Sequence, residues 1–360
     1  MLYKVIGIMS GSSLDGLDIA YCHIEESRGQ WTYTIQAAAC IPYSAKWQQD
    51  LQGAAQKSVT DFLELHSAYG RYIGDCVNAF VAEQGLDLKI DFIVSHGHTV
   101  HHNPAKQTSF QLGCGASIAA TTQLQVINDL RAMDVALQGQ GAPIVPIGDY
   151  FLFHPYTYLL NLGGIANITI KQGQSMLAFD IGVANQALNY YAQKRDLAYD
   201  DKGSMAAKGI LHAALAAKLA EHPYYKIQGP KSLSNAQAME LITPLMEEEN
   251  LSVEDALHTI VHVLVERIAE ALQAHPISEN AALLVTGGGA FNDYLVQQLR
   301  TRLQAYGIET VVPDALVVQY KEALIMAFIG VLRWREELNA LNSVTGAQRS
   351  SIGGAFWMGA

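Results

Sequence analysis

The chain has 360 residues, 50% of them hydrophobic and 16% charged, with 34 acidic against 23 basic side chains and a formal net charge of -11. At roughly 150 residues per domain the length predicts two domains, and the acidic balance excludes nucleic acid as a partner, because that needs a basic face. No apolar run approaches the roughly 18 residues that span a bilayer, so no membrane partner is expected.

The first residues lack a signal-peptide pattern. The four cysteines Cys22, Cys40, Cys76 and Cys114 form no CxxC pair and read as scattered buried thiols. A soluble, cytoplasmic protein is the expectation. Residues 3–9 read as a strand, residues 10–16 as a small polar loop and residues 17–24 as a returning strand, with Asp15-Gly16 as the turn signal. The loop Ser10-Gly11-Ser12-Ser13-Leu14-Asp15-Gly16 is rich in hydroxyls, and its glycines let backbone N–H groups close on phosphate oxygens. An ordinary hairpin turn has the same composition. There is no GxxxxGK[ST], and the loop opens a strand rather than a helix, so neither a Walker loop nor a Rossmann turn fits.

A helical stretch at residues 59–84 leads to a β-branched run at 91–95 that ends at His96-Gly97. His96, His98, His101 and His102 invite a zinc reading but lack closed-site spacing, so a sugar-contacting or structural role is preferred. Arg131 and Asp134 precede a glycine-rich stretch at 138–143. They read as a surface ion pair, or Arg131 offers its planar fork to a carboxylate.

The opening format then recurs. Residues 158–161 lead into Leu162-Gly163-Gly164, and residues 165–171 return. Asp180 ends the apolar run 176–179, ahead of a helical stretch at 183–193. A carboxylate at the C-terminal edge of a strand can act as a general base, though Asp is also a favoured helix N-cap. A second long helix is expected at 253–274, with Leu257, Ile260, Val261, Leu264, Val265 and Ile268 on one face. It leads to the run 283–286, then to Gly287, Gly288 and Gly289 and a helix from residue 290, whose N-terminus suits a phosphate or a ribose; a tight turn is the plainer reading. Glu322 opens an apolar helix, where a first-turn acid is favourable in any case. Two similar α/β halves follow, drawn at 1–128 plus about 340–360 and at 129–339, with paired hairpins clasping a triphosphate in a cleft between them.

The stretch from Gly7 through Gly11, Ser12, Ser13, Leu14, Asp15, Gly16 and Leu17 to Asp18 resembles the opening signature of anhydro-N-acetylmuramic acid kinases. Further stretches look like that family's motifs in family order: Ser95 to Val100, Arg131 to Pro143, Asn161 to Asn167, Gly287 to Asn292, Lys321-Glu322-Ala323 and Ser343 to Ala347. The resemblance implies a two-domain actin/hexokinase-like (ribonuclease H-like) fold and a reaction of cell-wall sugar recycling. In it, 1,6-anhydro-N-acetylmuramic acid, ATP and water give N-acetylmuramic acid 6-phosphate and ADP. By position Asp180 would be the base, and Gly11 to Asp18, with Gly163 and Gly164, would hold the ATP phosphates. Asp15 would reach Mg²⁺ through water. Gly287 to Gly289 would sit by the nucleoside. His96, Arg131, Asp134 and the catalytic candidate Glu322 would line the sugar pocket. A homodimer is implied by the resemblance alone. Where the family reads Asp-Thr-Gly-Pro-Gly-Asn, this chain has Asp180-Ile181-Gly182-Val183-Ala184-Asn185; His98 replaces a usual Gln, and Asn189 a usual acid. A kinase of another 1,6-anhydro sugar such as levoglucosan, and a catalytically silent sensor of the same fold, stand as alternatives.

Overall fold

The near-continuous apolar run after Leu2 forms the central strand of a sheet, as expected of a strand covered on both faces. The computed structural model describes residues 1–11, 14–173, 175–227, 231–275 and 281–359, so Ser12 and Ser13 of the opening loop lie outside the described residues. The chain splits into two units, Met1–Phe153 with Tyr320–Ala360, and His154–Gln319.

The first unit contains β1 (Leu2–Ser10), β2 (Gly16–Ser27), β3 (Gln30–Pro42), β4 (Phe92–Asn103), β5 (Thr108–Leu112) and β6 (Val126–Asn128). The second contains β7 (Tyr158–Leu162), β8 (Ile165–Gln172), β9 (Ser175–Val183), β10 (Ala282–Thr286) and β11 (Glu309–Val311), and β12 (Ala355–Trp357) returns to the first sheet. The order β3-β2-β1-β4-β6 in one sheet matches β9-β8-β7-β10-β11 in the other. The senses match too. The first three strands of each sheet are antiparallel neighbours, and the next two lie parallel to the first. That duplicated pattern is the ribonuclease H-like arrangement of the actin/hexokinase type, and it explains the repeat in the sequence.

Each unit has its own apolar core. The helix Val59–Gln84 buries Leu65, Tyr69, Ile73, Val77 and Phe80 against the first sheet; Ser58 caps its start and Gly85, in the left-handed region, ends it. In the second unit the helix Val253–Gln273 buries all six residues expected on one face.

The unit boundaries differ from those drawn at 128 and about 340. Residues 129–153 stay with the first unit because Asp134 bonds Thr345 and Asp149 pairs with Lys321. The helix Ala315–Trp334 kinks at Tyr320, and from there it is the core helix of the first unit. It packs closely enough that a Cβ on Gly7 would lie 2.0 Å from the Ala323 carbonyl, and one on Gly330 would lie 2.1 Å from Val94. By length and composition alone this helix is apolar enough to cross a membrane, contrary to expectation. Its residues Ala323, Leu324, Ile325 and Phe328 are instead fully buried in the protein.

Candidate functional site

In the first unit, β1 and β2 meet at the opening loop, where Leu14 adopts a left-handed φ of 58°. Gly16 is required by close packing, since a Cβ there would lie 2.6 Å from Cys40 Sγ. Cys40 itself is exposed, unlike the buried thiols Cys22 and Cys76. Both roots of the loop are tied to Tyr43. Its hydroxyl donates to Ser10 Oγ at 2.8 Å and its amide to the Asp15 carbonyl at 3.4 Å. A buried chain runs from Tyr69 through Tyr43 (2.6 Å) and Ser10 to His98 Nδ1 (3.1 Å), with Tyr69 donating to Tyr43, Tyr43 to Ser10 and Ser10 to the ring. His98 is therefore an anchor of this loop.

β4 does not stop at Gly97 as expected but runs on to Asn103. Ile8 pairs with Ser95 and Ser10 with His98, so His96 and Gly97 together face Met9 in a β-bulge. Gly97 holds its left-handed φ of 75° there. The bulge aims His96 at Arg131, whose Nε donates to His96 Nε2 at 2.8 Å while His96 Nδ1 donates to the Gly97 carbonyl at 2.7 Å. Burial, with the guanidinium beside it, pushes the His96 pKa down to about 3, so the ring is a neutral acceptor. Arg131 spends Nη1 on the Gly141 carbonyl at 2.6 Å. Burial lowers its pKa to about 10 and leaves it charged at neutral pH. Among the described residues no carboxylate lies within salt-bridge reach of Arg131, so its remaining N–H groups can hold an anion. His101 and His102 sit at the exposed end of the strand, bonded to Thr108 and Ser109.

Asp134, which the resemblance puts in the sugar pocket, holds a loop together. It is 2% exposed, and its two oxygens accept from Gly141 N at 2.8 Å and Thr345 Oγ1 at 2.7 Å. It clamps the loop whose carbonyl holds Arg131. Glu322 follows the kink at Tyr320. Its side chain is open to water although protein crowds it closely, and that crowding raises its carboxyl pKa, with Lys321 opposing and Asp18 adding to the shift. Asp18, opposite Met9 at the end of β1, is raised by burial and by the charge of Asp15. Asp18 thus carries like charge toward both Asp15 and Glu322.

In the second unit the Gly163-Gly164 turn joins β7 and β8, and its carbonyls accept the first amides of the helix Asn185–Gln193: Asn185 N to Gly163 O at 3.1 Å, Gln186 N to Gly164 O at 3.2 Å. That helix has no side-chain cap, which removes the helix-cap reading of Asp180. Asp180 lies within β9 rather than at its end, next to a bulge: Asp180 pairs with Asn167 and Gly182 with Ala166, leaving Ile181 as the extra residue. Its main chain is pinned by Asp180 N to Lys231 O at 2.9 Å and Tyr224 OH to Asp180 O at 2.7 Å. Its carboxylate accepts from Leu233 N at 2.8 Å. Burial raises its pKa, and the Leu233 bond only partly offsets this.

The glycine cluster closes on the same turn. Gly287 has φ 80°, and a Cβ there would lie 2.4 Å from Asn161 Oδ1; one on Gly289 would lie 2.7 Å from Leu162 Cβ and 2.9 Å from Asn185 Oδ1. Gly163, Gly164, Asn185 and Gly287 to Gly289 therefore form one small backbone-lined patch. The helix expected from residue 290 starts later. A 3-10 turn, Gly288–Phe291, comes first, and Asn292 caps Asp293–Gln304 by accepting from Leu295 N at 2.9 Å, so that helix end is already satisfied by its own side chain.

Three supporting groups escaped the sequence reading: Tyr43, the Asp149–Lys321 pair at 2.7 Å, and the segment holding Asp180. None has a local signal, because each contact joins residues far apart in the chain.

The family model for anhydro-N-acetylmuramic acid kinase matches residues 3–359. The chain is 33% identical to the anhydro-N-acetylmuramic acid kinase of Shewanella oneidensis, across 98% of each chain. It is 32% identical to that of Haemophilus influenzae, across 98% of this chain and 97% of the relative, and 30% identical to that of Sulfurimonas denitrificans, across 98% of each.

Proposed function

The chain belongs to the anhydro-N-acetylmuramic acid kinase family, and on that premise we propose how its residues divide the work of an ATP-dependent sugar kinase. The reaction consumes 1,6-anhydro-N-acetylmuramic acid, ATP and water and yields N-acetylmuramic acid 6-phosphate and ADP. Asp180 takes a proton from water, whose oxygen bonds to the anomeric carbon as the bridging C1–O6 bond breaks. O6 then accepts the γ-phosphoryl group. The observation that carries this assignment is a carboxylate that accepts from Leu233 N–H, on a main chain pinned by Lys231 and Tyr224, with a raised pKa and no helix to cap. A fixed base whose pKa is shifted toward working pH is what water activation needs.

The loop at Gly11 to Asp18 and the patch at Gly163, Gly164 and Gly287 to Gly289 are assigned to ATP. Their glycines allow close approach of backbone to an anion. The acidic side chains around Asp18 fit Mg²⁺ by their all-oxygen donors and their like charge. Among the described residues no three His, Cys, Asp or Glu groups converge on a metal directly, so Asp15 and Asp18 would hold the ion through its waters. When bound, the ion neutralises charge on the phosphates. His96 and Glu322 face the sugar, and Arg131, with N–H groups left over and no carboxylate partner among the described residues, holds the lactyl carboxylate.

The test is a reaction in oxygen-18 water with Mg-ATP and the anhydro sugar. Label in the anomeric hydroxyl together with 6-phosphate formation is the expected result; ADP without phosphosugar defeats the assignment. Arg131→Ala separates the acidic substrate from a neutral anhydro sugar. The variant is expected to raise KM for the acidic sugar on the order of 10²-fold, the loss of one charge-assisted pair. Whatever activity the wild type has on levoglucosan, a neutral anhydro sugar, should stay unchanged in the variant, and an equal loss on both sugars would remove the carboxylate assignment. Tyr43→Phe keeps the ring but unties Ser10 from Tyr69. It is expected to raise KM for ATP several-fold with little change in kcat, read from initial rates at varied ATP, because it loosens a binding loop rather than the base.

A further inference from the structure

A cavity of about 250 Å³ opens in the second unit, walled by Phe179 and Ile181 of β9, by Tyr225 and Lys231, and by Arg267 and Glu270 of the helix Val253–Gln273. Phe179 alternates with Asp180 along β9, so the two side chains leave opposite faces of the strand and the cavity is distinct from the carboxylate assigned as base. Its charge is unbalanced. Glu270 is bonded to Arg267 Nη2, which leaves Lys231 as the surplus cation. Among the described residues no carboxylate reaches the Lys231 ammonium, which has the Tyr224 carbonyl at 3.1 Å and the Tyr224 ring centroid at 4.5 Å. Among the described residues Arg267 Nε is buried without an acceptor, and its guanidinium lies 5.6 Å from the Tyr225 ring centroid.

A buried donor with no acceptor and a half-buried ammonium with no counter-charge are both costly in isolation. One group cures both defects: an oxyanion, with its body against Phe179, Ile181 and the alanines of the helix. We propose that this cavity is a second ligand site, for a small organic oxyanion carried on an apolar body and held by Lys231 and Arg267. Its occupancy is wired to the strand. The Lys231 carbonyl accepts Asp180 N–H at 2.9 Å, and two residues on Leu233 N–H donates to the Asp180 carboxylate at 2.8 Å.

The experiment is an amide NMR titration of the full-length protein without ATP or sugar, so its result does not depend on the kinase assignment. The probes are sodium benzoate, phenyl phosphate and, as the neutral control, benzyl alcohol. Saturable shifts at the Lys231 and Leu233 amides with either anion, and none with the alcohol, are the expected result; the tighter anion identifies the headgroup. Lys231→Gln and Arg267→Gln should each weaken binding about tenfold or more, while Arg131→Ala leaves it unchanged. The proposal is overturned if neither anion binds, if benzyl alcohol binds as tightly as both, or if both Gln variants keep the wild-type Kd.

Discussion

Asp180→Asn is expected to abolish ring opening and phosphorylation together, with kcat/KM for the anhydro sugar falling on the order of 10²- to 10⁴-fold, the usual worth of a positioned general base. The substitution is nearly isosteric and keeps an oxygen for the Leu233 N–H, so the bond at 2.8 Å can survive. The folded state should not suffer. The native carboxyl pKa is raised, so burial favours the neutral form, and the stability that the group contributes is present at low pH and lost as pH rises through the raised value. A neutral amide removes that loss. An unchanged or slightly higher melting temperature at pH 7 with vanished turnover is therefore the signature of a base. Lost stability alongside lost activity would mark a structural residue. The pH profile runs in the opposite direction to stability. Only the ionised carboxylate accepts a proton, so wild-type kcat/KM should fall on acidification, with its acidic limb above the ordinary aspartate range. A profile flat down to pH 4 would remove Asp180 from the role.

The hairpins of both units were legible because each is local. Apolar alternation meets a glycine-rich turn within a few residues, and no distant contact is needed to specify it. The duplication was legible for the same reason, since β4 and β10 take equivalent places beside β1 and β7. The bulges at His96-Gly97 and at Ile181 were not. A bulge is a mismatch between two strands, and one strand's sequence does not contain its partner's register. Asp134 shows a different limit. Its place between Arg131 and a glycine loop suits a ligand contact or a loop clamp equally. The clamp itself depends on Thr345, far along the chain. The unit boundaries moved for the same cause, because the segment around Asp149 is held by Lys321.

That last pair carries the second large effect. Lys321 Nζ lies 2.7 Å from Asp149 Oδ1, with side chains 9% and 2% exposed, and the ammonium also sits 5.1 Å from the Phe153 ring centroid. Removing one partner strands a charge in the core, so Lys321→Met is expected to cost about 3–5 kcal/mol. The double variant Asp149→Leu with Lys321→Met should recover most of that loss, since replacing a buried pair by apolar groups is often neutral. The four tryptophans, Trp31, Trp47, Trp334 and Trp357, all belong to the first unit, so denaturant unfolding followed by their fluorescence reads this unit alone. Activity should part company with stability in the double variant. Lys321 opposes the upward shift of the Glu322 carboxyl pKa and Asp149 adds to it, the Lys321 effect being the larger, so in the double variant the pKa still climbs and the ionised form of Glu322 is less favoured. A refolded core with persistently reduced turnover would show that Lys321 was retained for the carboxylate beside it, and full activity in the double variant would assign the pair to the core alone.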